Sequence, residues 1–382
     1  MRPSAHSSFR AALAFVPLLV IAQPSGIHRR GDSWEKDFIG NARASRRLRI
    51  NAHGPVTLQA GNAPEITYTV HVSVRARTEA DARMVMQRYR VRAEYAGDTL
   101  IITAPDGPVI SAVIVKAPRL DYADIITTDG AVEAAGVDGG VAVQTGAGEL
   151  MIDRVRGDCK LQTGGGDVRV GSIGGGLRCT SQAGRIIVGT VNREAVLKTV
   201  GGDITATEIK GPATAETGAG GIHIVRCGAG VNASTVGGPI VVEHAAGVVI
   251  ARNLAGPVQV GAASGVQCES GSGGIRVTNV AGPMRVQTSL GNIIAAIIGP
   301  KLADSFLATA NGDINVSIPS NVGVDIRAQN DLADSMRRIT TDFSTITVRR
   351  QGRQIVAEGH VNGGGPLLQL SATVGTIFIR RQ

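Results

Sequence analysis

The chain has 382 residues, a formal charge of +8, 43% hydrophobic and only 3% aromatic residues, and 51 glycines. It is long enough to bury a sizeable core and too apolar for a disordered low-complexity segment. Its basic residues are dispersed, without the like-charge block of a nucleic-acid arm, and it lacks the aromatic platforms that single-stranded nucleic acid needs. Nucleic acid is therefore not an expected partner, and the composition points to many short strands joined by tight turns.

Arg2 and Arg10 flank a polar start, and an apolar run over 11–22 ends in the small residue Ala22. That layout predicts a signal peptide over 1–22 and an exported mature chain, in the periplasm, on the cell surface or outside the cell. The run is interrupted by Pro17 and is too short to cross a bilayer as a helix, so no transmembrane span is expected after cleavage. No cysteine follows it to carry a lipid anchor. Residues 23–45 read as a linker, and 46–127 as a separate β-rich N-terminal cap. Within the cap, residues 66–74 alternate as a strand, and Thr78 offers an N-cap for a short helix to about Tyr89. Apolar runs at 100–102 and 113–115 read as further strands.

From 128 to 318 the chain repeats. Aligned on Thr-x-x-Gly-x-aliphatic, the aliphatic falls at Val132, Leu150, Val168, Ile186, Ile204, Ile222, Ile240 and Val258, each step 18 residues, and then at Ile275, Ile293 and Ile314. Two residues earlier stands a glycine column that includes Gly148, Gly166, Gly184, Gly202, Gly220 and Gly238. Glycine is needed where φ is positive or where backbones approach closely, so the column reads as one tight corner repeated in every coil. Two residues after the aliphatic runs a second apolar column from Ile152 to Val277, the period of a strand with one face inside. A third column includes Val137, Ile173, Ile209, Cys227 and Ile298. A second strand adds two more columns, from Val141 to Val249 and from Val143 to Val286, and closes on hydroxyls from Thr145 to Thr309. Each coil thus has two main strands and a short third.

One coil cannot bury its apolar face alone, but stacked coils pair strand on strand in parallel and align like residues into ladders. The expected fold is all-β: a β-solenoid, parallel β-helix-like, of about 18 residues per coil, capped by the β-rich N-terminal segment with its one short helix. At about 4.8 Å per rung, the repeat would form a rod on the order of 50 Å long. Residues 319–382 form the C-terminal cap; Leu368, Leu370, Gly375, Ile377 and Ile379 re-enter the coil register, so a last rung is expected there.

The segment from Leu48 to Leu58, the repeat unit Thr199-Val200-Gly201-Gly202-Asp203-Ile204 and the late Gly312-Asp313-Ile314 carry a family likeness. Over about residues 46–380 the chain resembles the bacterial putative-adhesin, β-strand-repeat family of unknown function. The resemblance implies a β-solenoid and an envelope location; it brings no catalytic or binding motif.

Few constellations offer chemistry. Cys159, Cys179, Cys227 and Cys268 all fall in inward columns, and Cys159 and Cys179 lie two residues out of step on neighbouring coils. That diagonal is roughly 8 Å, beyond disulfide reach, so core thiols are expected. Asp follows the corner Gly directly at 167, 203 and 313, not in the spacing of calcium-binding nonapeptides. The column Glu149, Asp167, Arg185, Asp203 places Arg185 between two carboxylates. It reads either as an acid–Arg cluster like those of pectin-cleaving β-helices or as an exposed charge ladder, and the ladder is favoured because no second acidic cluster or metal constellation supports catalysis. His223 and His244 read as surface residues, and Thr163-Gly164-Gly165-Gly166 lacks the Lys and helix of a phosphate loop. No catalytic residue, metal ligand or cofactor is expected.

The outward face of the second strand is the candidate interaction face: Lys160, Gln162, Arg178, Lys198, Arg252 and Arg285 stand on it at regular spacing. The expected role is a non-enzymatic envelope adhesin or structural scaffold. Its expected partners are an anionic envelope polysaccharide or another envelope protein. The alternatives are a polysaccharide-active β-helix enzyme and an envelope sensor or partner-binding module.

Overall fold

The computed structural model describes residues 23–24, 26–298, 302–332 and 338–382. Residues 1–22, expected as a signal peptide, lie outside them. The fold is a β-solenoid of stacked parallel coils, with one short helix among the described residues, near its N-terminal end. No helix among the described residues is long and apolar enough to cross a membrane.

Each coil contributes one strand to each of two long sheets. In the first sheet Val168–Ile173 pairs in parallel with Ile186–Val191, which pairs with Ile204–Ile209. In the second, Cys159–Thr163 pairs with Leu177–Ser181 and then Ala195–Thr199. The registers match residues 18 apart, as the repeat requires. Alternation follows from the strand period of two: Cys159, Leu161 and Thr163 are buried while Lys160 and Gln162 are exposed. The expected third strand does not stand alone. Ile173 and Val191 end the first strand of their coils, past one unpaired position. Ile298 departs from its column: it is 45% exposed, and Ile297 takes the inward place opposite Val280. A register shift between Val277 and Val280 moves the inward position by one, which in a strand exchanges the two faces.

The corner motif has a specific bonding pattern. The Thr217 hydroxyl donates to the Gly202 carbonyl of the preceding coil at 2.8 Å and accepts from the Gly220 N–H of its own corner at 3.2 Å. Thr199 and Ser181 repeat the pattern, and Asn253 substitutes for the hydroxyl with its amide. The glycines are required because the corners nearly touch. A Cβ on Gly202 would overlap the carbonyl of Gly184, and one on Gly184 that of Gly166. Asp after the corner Gly braces the next coil: Asp203 accepts from Gly221 N and Asp313 from Thr376 N, at 2.7 and 2.8 Å.

The two ends are built differently from expectation. Residues 23–45, expected as a linker, carry strands: Ser33–Ala42 pairs antiparallel with Ile66–Val74 from Trp34 to Ala42. The reason is apolar periodicity, since Phe38 and Ala42 are buried against the common core. The N-terminal cap is also continuous with the rod. Arg47–Ala52 and Val56–Ala60 form a coil that inserts between the rungs of 99–117 and 122–135, parallel to both. The helix Glu79–Arg88 begins at Thr78, whose side chain accepts from Asp81 N, and turns Ala82 and Met86 into the core. At the other end, Leu367–Val374 and Ile377–Arg381 do enter the coil register, but not as the final rung. They slot between the coil of 305–318 and the strands Val324–Asn330 and Ile339–Thr341. The second sheet ends in the antiparallel pair Gln354–Val361 and Ile346–Gln351, which covers an otherwise open parallel edge.

Candidate interaction face

The second sheet carries two outward columns. Lys160 and Arg178 are direct neighbours in one, beside Ala142 and Val196. Arg285 stands in the same column much farther along, between Gln267 and Phe306. Gln162, Lys198 and Arg252 belong to the other column: Gln162 lies beside Gln144 and Thr180, Lys198 beside Thr180 and Glu216, Arg252 beside Ser234 and Glu269. The six residues share a face but form no single site.

Their charges are in different states. Lys198 pairs with Glu216 at 2.7 Å, Arg252 approaches Glu269 at 3.9 Å, and the Arg285 guanidinium lies over the Phe306 ring, 5.9 Å from its centroid. Lys160 and Arg178 are exposed and have no ion pair among the described residues. Beside them runs a shallow groove of about 270 Å³, with Tyr122, Asp158 and Glu194 also in its walls. Asp158 is engaged by the backbone, accepting from Gly176 N at 2.8 Å. A second hollow of about 610 Å³ lies along Lys198, Glu216, Asn232 and Arg252. Sequence reading missed Tyr122 and Glu194 as neighbours of the basic pair. Tyr122 belongs to the segment expected as a separate cap; the continuous sheet sets it opposite Gly140, one column over from Lys160 on the same face.

The charge ladder proves to be coil-to-coil bracing. Asp167 accepts from the Arg185 guanidinium at 2.8 Å and from Arg185 N at 2.9 Å. The Arg185 side chain, then its backbone N–H, holds the Asp167 carboxyl below its ordinary range. Glu149 pairs with Arg169, and Asp203 with the Gly221 backbone, so Arg185 bridges no carboxylate pair. His223 Nε2 lies 2.8 Å from Glu243 on the next coil, whereas His244 stands opposite Arg226. The four cysteines are free and buried. Burial pushes Cys159, Cys179 and Cys268 up to about 12 and raises Cys227, whose thiol donates to the Gly211 carbonyl. Among the described residues no three His, Cys, Asp or Glu side chains are gathered to hold a metal ion.

No family model matches the chain, and no curated protein does. Among solved structures it is similar to a putative adhesin from Parabacteroides distasonis, with 13% identity, 74% of this chain and 96% of that one covered, and a TM-score of 0.33. It is also similar to a putative cell adhesion protein from Clostridium sporogenes, at 9% identity, 91% and 100% covered, TM-score 0.20. A putative lipid binding protein from Parabacteroides distasonis matches at 12% identity, 75% and 97% covered, TM-score 0.27.

Proposed function

We propose that the chain is a non-enzymatic exported envelope protein, an adhesive or structural scaffold whose second sheet presents its outward face to an anionic polysaccharide. The observation that carries this reading is the pair Lys160 and Arg178. They sit on adjacent rungs, exposed and without an acidic partner, where neighbouring basic residues on the face are neutralised. Like charges stacked directly opposite in a sheet are destabilising, so the charges of the pair do not help to hold the rod together. Rungs about 4.8 Å apart give a flat array along which an extended polymer can run.

The test is binding of the purified protein to a panel of acidic and neutral polysaccharides, with sugar release measured in the same wells. Salt-sensitive binding to acidic polymers without release, weakened by Lys160→Gln/Arg178→Gln, is the expected result. Release of product would replace the scaffold with an enzyme. Binding unaffected by the double substitution would remove the face from the reading.

A further inference from the structure

A second feature of the molecule stands apart from the basic face. At the N-terminal end of the rod lies a cavity of about 550 Å³, lined by residues between Met84 and Val109 and sharing none with the groove at Lys160 and Arg178. Its volume falls within the roughly 300–1,000 Å³ of small-molecule pockets. The local sequence explains its shape. The helix Glu79–Arg88 spends Ala82 and Met86 on the core and leaves Met84, 52% exposed, and the half-buried Val85 on the cavity side. The chain leaves the helix at Tyr89 in an extended conformation, with the Tyr89 ring buried near Phe38, and turns into the edge strand Arg92–Ala96. The opposite wall is the loop of Pro105, Gly107, Pro108 and Val109, where Gly107 sets its backbone close beside the Tyr89 ring.

The floor is therefore apolar, and the rim is not. Arg88, Arg90 and Arg92 all line the cavity and are all exposed. None of the three has an ion pair, side-chain hydrogen bond or ring contact among the described residues, whereas Arg83 on the same helix is paired with Glu79. Arg88 has a reason to be at a helix C-terminus, where a cation complements the carbonyl dipoles. Arg90 and Arg92 lie beyond the helix and have no such reason. The one acid of the lining, Asp106, is turned back on its own loop, accepting from Gly107 N at 2.7 Å and facing His53 at 3.3 Å. Three unpaired guanidiniums over an apolar hollow complement a molecule with one anionic planar head and one apolar body, because the guanidinium fork matches a carboxylate in two parallel hydrogen bonds.

We propose that this cavity binds a single-chain amphiphilic carboxylate, its chain against Met84, Val85 and Val109 and its head at Arg88, Arg90 and Arg92. The reading is independent of the polysaccharide face, and the same preparation separates the two. Titration calorimetry of the purified protein would use dodecanoate below its micelle concentration, dodecyltrimethylammonium at the same concentration, and phosphatidylglycerol vesicles. Dodecanoate should bind one to one and at least tenfold more tightly than the cationic amphiphile. Arg90→Gln/Arg92→Gln should weaken it tenfold or more, while Lys160→Gln/Arg178→Gln leaves it unchanged. All four side chains are exposed, so the fold survives the substitutions, and circular dichroism checks this. Equal binding of the two head groups, or dodecanoate binding insensitive to Arg90→Gln/Arg92→Gln, would overturn the proposal. So would association with the vesicles alone, which would make the arginines a membrane-surface patch.

Discussion

Replacing Thr217 with Val tests whether the hydroxyl column, and not only the apolar core, holds one coil on the next. Valine keeps the volume and the β-branch, so packing is nearly unchanged. What is lost is the bond donated to the Gly202 carbonyl and the bond accepted from Gly220 N, both buried, with Thr217 itself 6% exposed. Each buried backbone group left without a partner costs roughly 1–3 kcal/mol, so the substitution should cost about 2–6 kcal/mol. Thr217→Ser keeps both bonds and loses one buried methyl, about 0.8 kcal/mol. Thr180→Val, on the exposed face of the same sheet, should stay within about 0.5 kcal/mol. In a stacked repeat the loss falls on one coil interface. Urea unfolding followed by circular dichroism should rank the three, and hydrogen exchange should show early loss of protection around 202–220 in Thr217→Val alone. Equal midpoints for Thr217→Val and Thr180→Val would show that the hydroxyl ladder contributes nothing, and the corner argument would fail.

The glycine corner gives a paired experiment. Gly202→Ala drives a methyl into the Gly184 carbonyl and should cost roughly 1–3 kcal/mol, whereas Gly201→Ala meets nothing closer than 3.7 Å and should leave the melting curve in place. Ile204→Asp buries an unpaired charge at a fully buried position and should cost several kcal/mol, about enough to unfold its coil; an unchanged curve would sink the register. The thiols predict a pH effect. Burial raises Cys159, Cys179 and Cys268 from the ordinary 9.0 to about 12, so above pH 9 the unfolded chain releases protons that the native chain keeps. Their contribution is complete below pH 9 and is lost as pH rises towards 12, so the alkaline decline in stability should be shallower in Cys268→Ala. Iodoacetamide at pH 8 should label the protein only in urea; rapid labelling of the native protein would contradict the buried columns.

The rod was legible because one period governs every column. When residue n must bury and residue n+18 must stack on it, a sequence printed in rows of 18 is already a map of rung neighbours. That map also holds site information. Glu216 is 18 residues beyond Lys198 and Glu269 is 17 beyond Arg252, so the neutralised pairs could have been read from the rows. Other features were not legible. Parallel rungs of one register are interchangeable, so nothing in Leu368, Leu370 and Ile377 said between which coils they would lie. That is decided by close contacts, Gly375 against the Gly312 carbonyl and Thr376 N on Asp313. The strand Ser33–Ala42 was hidden because its pairing with Ile66–Val74 is antiparallel and outside the period. The N-terminal cavity was hidden for a related reason: its walls come from a helix end and a loop that the repeat does not reach.

The same rows turn the basic pair into a prediction about stability. Along the outward columns a cation usually meets a polar, apolar or acidic residue on the next rung, but Lys160 meets Arg178. Both are exposed, so solvent and salt screen most of the repulsion. Arg178→Thr removes it and places a β-branched residue in a strand, where propensity also favours it. The variant should therefore be more stable than the parent by a few tenths of a kcal/mol at low salt, with the gain fading as salt rises. It should also bind acidic polysaccharide more weakly. A gain in midpoint together with a loss of binding would mean that Arg178 is kept at the expense of the fold. A lower midpoint for Arg178→Thr would instead make the guanidinium part of the packing, and the case for a dedicated binding pair would lose its physical basis.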